Sequence, residues 1–358
     1  MKKTIVALFI GTALAPVAHA AEVYNKDGNK LDVYGKAVAR HYFSKNSSID
    51  GDNTYIRFGF KGETQITNEL TGYGQWEYNI QANHSESGRD AQNGNKTRLG
   101  FAGLKFGNWG SLDYGRNYGV IYDVAAITDT PVIFDDETFS YTDNFMTGRG
   151  NGFLTYRNNN FFGLVDGLNF ALQYQGANND STNNSRDPMR SNGDGYGASV
   201  SYDFGYDITA LGAYSSSRRT EAQNNLLLGE GKHADIWAVG LKYDDGHAYL
   251  AGTYAQARNL TPIRSLGYAN KSENLELVAK YTFDNGFVPG VGYFRSKGKD
   301  LGPAADQDLL HYWDFSISYY FNKNMSIYAD YKLNRISSNN QLGLAHDDQT
   351  GLGLTYQF

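Results

Sequence analysis

Seven histidines and no cysteine limit the chemistry open to this 358-residue chain. Thiol catalysis and a disulfide framework are both excluded with the cysteines. His84, His233 and His346 fall in long polar stretches, while His41, His247 and His311 lie near the ends of alternating apolar runs. None stands in a nucleophile elbow or at zinc-ligand spacing. A protease or phospholipase would need nucleophile, base and orienting group together, so no catalytic residue, cofactor or metal ligand is assigned. Asp50-Gly51-Asp52-Asn53 has the look of a calcium loop, but it lacks the twelve-residue spacing and the closing glutamate and reads as a turn. What remains is charge without bond chemistry. Arg57 opposes Ile56, Phe58 and Phe60, and Lys36 opposes Val33, Gly35 and Ala37. A cation on the polar face of an otherwise apolar strand acts through its field.

The elements that carry these charges are strands. Alternation of apolar and polar side chains means that one face is apolar and the other polar. Trp76, Tyr78 and Ile80 alternate with Gln75, Glu77, Asn79 and Gln81, and Trp313, Phe315, Ile317 and Tyr319 with Asp314, Ser316 and Ser318. Met325, Ile327, Ala329, Tyr331 and Leu333 alternate with Ser326, Tyr328, Asp330, Lys332 and Asn334. The last strand runs to the end of the chain: Leu352, Leu354, Tyr356 and Phe358 alternate with Gly351, Gly353, Thr355 and Gln357. A composition of 28 Tyr, 20 Phe and 41 Gly with only 6 Pro favours strands over helices. The net charge of −6 argues against a nucleic-acid partner, which would require a basic stripe.

The first twenty residues read as a secretory signal peptide. Lys2 and Lys3 precede a short apolar run, and Ala18-His19-Ala20 has the small-x-small pattern of a cleavage site. Cleavage would start the mature chain at Ala21 and change the net charge from −6 to −6 − 2 = −8. Beyond that point no stretch approaches the roughly 18 apolar residues of a membrane helix. Two fates remain, a soluble sandwich or a barrel in an outer membrane. Aromatic residues at strand ends favour the membrane, and so do the connectors. Short links near residues 68–71, 107–110, 203–206, 244–247, 284–287 and 322–324 alternate with long polar stretches, the short-turn, long-loop arrangement of outer-membrane barrels. The expectation is an all-β fold: a sixteen-stranded antiparallel transmembrane β-barrel over residues 21–358, with a third loop at about 117–148. An even strand number lets the terminal strand pair with the strand around residues 31–43, and sixteen strands enclose an aqueous lumen.

Ala21-Glu22-Val23-Tyr24-Asn25-Lys26-Asp27-Gly28, Gly72-Tyr73-Gly74-Gln75-Trp76-Glu77-Tyr78 and Asp113-Tyr114-Gly115-Arg116-Asn117-Tyr118-Gly119 resemble the enterobacterial general diffusion porins of the OmpC, OmpF and PhoE type. So do the segment from Asn160 to Phe170 and the terminal Tyr356-Gln357-Phe358. The resemblance implies a homotrimer of outer-membrane pores, each narrowed by an inward-folded third loop and passing ions and small hydrophilic solutes by passive diffusion. It implies contact with outer-membrane lipid and lipopolysaccharide, and recognition of Tyr356 and Phe358 by the outer-membrane assembly machinery. Phage or other partners at the outer loops are compatible with the pore.

Matched position by position, the family's basic ladder at the constriction falls on Lys36, Arg57, Arg98 and Arg149. Its first loop carboxylate falls on Asp129, after Tyr118 and Tyr122, which the resemblance associates with the constriction. The chain then departs from the pattern. Where family members carry Pro-Glu-Phe-Gly-Gly, the glutamate position holds Ile133 and the two glycines are Asp135 and Asp136, followed by Glu137. Asp129, Asp135, Asp136 and Glu137 are expected to form the acidic side of the constriction and, with the mature charge, to give mild cation preference. A sugar-specific channel would show an ordered aromatic row on the polar faces, and none is present.

Overall fold

The computed structural model describes residues 21–134, 137–179 and 186–358, so the proposed signal peptide and the pair Asp135 and Asp136 lie outside the described residues. Sixteen long strands follow one another in an antiparallel meander. They are β1 (Asn29–Ser44), β2 (Tyr55–Gln65), β3 (Leu70–Gln81), β4 (Lys96–Phe106), β5 (Ser111–Tyr118), β6 (Arg149–Asn158), β7 (Leu168–Gln175) and β8 (Gly195–Asp203). The second half comprises β9 (Ile208–Arg218), β10 (His233–Asp244), β11 (Ala248–Arg258), β12 (Lys271–Tyr281), β13 (Phe287–Lys299), β14 (Gln307–Asn322), β15 (Met325–Asn334) and β16 (Gln349–Gln357). No described helix is long and apolar enough to cross a membrane.

Closure is made by both ends of the chain. One edge of β1 pairs with β2. Its other edge pairs with β16 over Lys36 to Ser44 and with the N-terminal segment Ala21–Lys26 over Asn29 to Val33. Between these two partners, Gly35 exchanges two backbone hydrogen bonds of 3.0 Å with Phe358. The sixteenth wall position is therefore built from both termini, which leaves no sheet edge open in the bilayer.

The barrel is polar inside and apolar outside. Along β14, Trp313, Phe315 and Ile317 are 40%, 46% and 51% exposed, whereas Asp314, Ser316 and Ser318 between them are 2%, 7% and 5% exposed. A soluble sheet protein would show the reverse. The short turns close on side-chain caps: Asp203 Oδ1 accepts from Gly205 N at 2.9 Å, and Asn322 Oδ1 from the amides of Asn324 and Met325 at 2.8 and 3.0 Å. Several strands run farther into the outer connectors than the hydrophobic alternation suggests. β9 continues to Arg218, β12 begins at Lys271, β13 continues to Lys299, and Asn117 and Tyr118 belong to β5, so the third loop spans residues 119–148. Backbone pairing continues past the lipid belt because polar side chains suit a strand in water equally well, so the pattern ends before the ladder does.

The third loop folds into the lumen and rests on a wall of small residues. Its short helix α1 (Tyr122–Ala125) and the preceding Ile121 pack against Ala234, Ala238, Ala255 and Ala257 of β10 and β11. A Cβ at Gly240 would lie 2.8 Å from Ile127 and 3.2 Å from Val124. Larger inward side chains there would displace the loop.

Candidate pore constriction

One side of the lumen is basic. Lys36 of β1 and Arg57 of β2 are direct cross-strand partners. They share the buried ring of Tyr55 with Arg40, at 5.8 Å for Lys36, 5.3 Å for Arg57 and 5.0 Å for Arg40. Arg98 reaches the same wall through an irregularity of the sheet. Glu77 pairs with Leu99 and Tyr78 with Thr97, leaving Arg98 as the extra residue of a bulge, a device that re-aims a side chain. Arg98 Nε donates to Glu77 Oε1, and Arg57 Nε stands 4.0 Å from the same oxygen. Glu77 also accepts from the Tyr34 hydroxyl at 3.2 Å, which in turn accepts from Gln75 Nε2 at 2.7 Å. Lys36, Arg57, Arg98 and Glu77 thus form one charged strip over four adjacent strands. The charges of Arg98 and Arg149 both act on Arg57.

Arg149, the first residue of β6, links this wall to the third loop. It pairs with Tyr118 across the sheet, lies 5.6 Å from that ring, and its Nη2 donates to Thr142 Oγ1 at 3.0 Å. The Tyr118 ring stacks on Tyr122 at 4.2 Å, and the Tyr122 hydroxyl donates to Asp129 Oδ2. Asp129 and Ser140 are the side-chain neighbours that act on the Glu137 carboxyl. Desolvation and the charge of Asp129 hold the Glu137 carboxyl well above the usual carboxylate range, and desolvation with the same charge raises the Tyr122 phenol. Asp129 and Glu137 therefore come together as a pair, not as two independent charges.

The departure at Ile133 has a packing explanation. Ile133 is 2% exposed and faces the wall. The amides of Ile133 and Phe134 donate to Asp330 Oδ2 at 3.0 and 3.4 Å, and the Tyr312 hydroxyl donates to Phe134 O at 3.0 Å. The neck of the loop is fixed by Gly119 N donating to Gly148 O at 2.9 Å and by Arg116, which clasps Asp143 at 2.7 and 3.2 Å. Arg157 holds Asp123 in the same two-pronged way at 2.9 and 3.0 Å.

Four contributors were not singled out from the sequence. Glu77, Glu276, Lys280 and Asp330 all occupy polar-face positions, but only the folded register shows which neighbours they meet. Among the described residues, no group of three or more potential metal ligands converges.

Comparison with known proteins agrees with the barrel fold. The sequence profile of the Gram-negative porin family matches residues 26–358. The chain is 54% identical to outer membrane protein F of Serratia marcescens over 378 aligned residues and 53% identical to outer membrane porin F of Escherichia coli strain K12 over 370, each alignment covering 100% of both chains. The solved structure of Salmonella typhi OmpF in complex with daunomycin superposes with a TM-score of 0.86 at 47% identity, covering 94% of this chain and 100% of that one. The chain belongs to the Gram-negative porin family and is a general diffusion channel of the outer membrane.

Proposed function

We propose that Lys36, Arg57, Arg98 and Arg149 form the basic side of the constriction, that Asp129, Glu137, Asp135 and Asp136 form its acidic side, and that the pore is mildly cation-selective. Opposed rows of charge across a narrow wet gap set up a transverse field, which orients dipolar solutes and disfavours apolar ones. Two unit charges about 8 Å apart at an effective dielectric of about 20 interact by roughly 2 kcal/mol, enough to bias ion choice without trapping an ion. The observation that carries the reading is Glu77. It lies inside the basic strip, in contact with Arg98 and 4.0 Å from Arg57, and offsets part of the strip's positive charge. The reversal potential in planar bilayers under a salt gradient tests the proposal. Cation preference is expected, and anion preference would overturn it.

The channel carries out no covalent reaction in this reading: its selectivity rests on size and field alone. Residues 1–20 act as a cleaved signal peptide, the barrel assembles as a homotrimer, and its apolar belt contacts outer-membrane lipid and lipopolysaccharide. The size of the folded complex before and after heating tests the trimer.

A further inference from the structure

The strand β12 carries two inward charged residues four positions apart on one face, and both grip the third loop rather than the lumen. Glu276 is 0% exposed. Its Oε1 accepts from Thr138 N at 2.6 Å and from Thr138 Oγ1 at 2.8 Å, and its Oε2 accepts from Thr128 Oγ1 and lies 3.3 Å from Thr253 Oγ1. One buried carboxylate therefore ties together the incoming limb of the loop at Thr128, the returning limb at Thr138, and the neighbouring strand β11 at Thr253. Four residues on, Lys280 Nζ donates to Thr130 O. Between Thr128 and Thr130 lies Asp129.

A carboxylate this far from water is retained only where its hydrogen bonds are satisfied, and no cationic nitrogen among the described residues lies within ion-pair distance of it. Ion pairing across the lumen does not explain its presence, and solutes cannot touch it. Its contacts are with the two loop segments that flank the constriction carboxylates Asp129 and Glu137. We infer that Glu276 and Lys280 are positioning residues that fix the acidic side of the constriction, so that a side chain outside the solute path sets ion preference and exclusion size.

This inference rests on the proposed role of Asp129, and the experiment separates the two. Reversal potentials and liposome swelling with graded sugars are measured for trimers of Glu276→Leu, Glu276→Gln and Asp129→Asn. Glutamine can keep both limbs, with its oxygen accepting from Thr138 and its amide donating to Thr128 and Thr253, whereas leucine keeps neither. The expected result is that Glu276→Leu moves the reversal potential from the wild-type value toward that of Asp129→Asn and alters the sugar cut-off, while Glu276→Gln stays near wild type. If Glu276→Leu yields no folded trimer, the loop-side change Thr128→Val with Thr138→Val removes the two loop hydroxyl bonds to Glu276 and is expected to shift the potential in the same direction. An Asp129→Asn shift without any shift from Glu276→Leu or the double threonine variant would overturn the inference and leave the constriction intact. Equal shifts from the leucine and glutamine variants would assign the effect to charge and also overturn it. No shift from Asp129→Asn would instead remove the constriction reading itself.

Discussion

Arg98 and Glu77 meet across adjacent strands because a bulge turns Arg98 into the lumen, and the carboxylate they share with Arg57 sits inside the basic wall it partly neutralises. Removing that charge without changing shape isolates its contribution. Glu77→Gln leaves Arg57 and Arg98 uncompensated and should shift the reversal potential toward anions. The lost charge-assisted bonds should also cost about 1–3 kcal/mol of barrel stability, read as a lower denaturant midpoint. An unchanged potential would mean that solutes do not sense this strip.

The Asp129 and Glu137 pair gives the channel a pH response of predictable sign. At pH values below the raised pKa of Glu137 the pair carries one negative charge fewer, so cation preference should strengthen as pH rises through it. The same ionisation works against the seat of the loop, because a carboxyl raised by folding favours the folded state less as pH climbs from its free value near about 4.3 through the raised one. Selectivity recorded against pH checks this, and Glu137→Gln should flatten the curve.

Gly351 of β16 makes room for the loop tip. A Cβ there would lie 2.5 Å from Ile133 Cδ1 and 3.1 Å from its Cγ2. Gly351→Ala can be absorbed by rotation of the Ile133 end group, whereas Gly351→Leu must push the tip into the lumen. Sugar uptake into proteoliposomes should be near wild type for alanine and reduced for leucine, most for the larger sugars.

Phe358 closes the barrel through its two bonds to Gly35, and its ring lies beside Tyr356 and against the Gly35 backbone. Deleting Phe358 should lower the yield of folded trimer more than the conductance of trimers that do form. Normal folded yield would contradict both its closure role and its proposed reading by the assembly machinery.

The barrel was legible in the sequence because its polarity is inverted along strands such as β14, with Trp313 and Phe315 outside and Asp314 and Ser316 inside, and because loop lengths alternate between the two ends. The seat of the third loop was not. Ala234, Ala238, Ala255 and Gly240 read as ordinary small residues, and their role appears only when α1 and Ile127 lie on them. Ile133 looked like a lost charge because the linear pattern cannot show that the tip faces Gly351 rather than water. Glu276 alternates with Leu275 and Leu277 like any lumen residue, and nothing in that spacing distinguishes a side chain that faces solute from one that holds a loop 138 residues away in sequence at Thr138. Arg98 required the bulge, which the sequence does not mark.

The most direct test of the constriction is a paired charge removal read by reversal potential under a fixed salt gradient. Arg98→Gln should increase cation preference relative to wild type, and Asp129→Asn should decrease it. Shifts in the same direction, or no shift from either, would contradict a pore whose selectivity is set by these opposed charges.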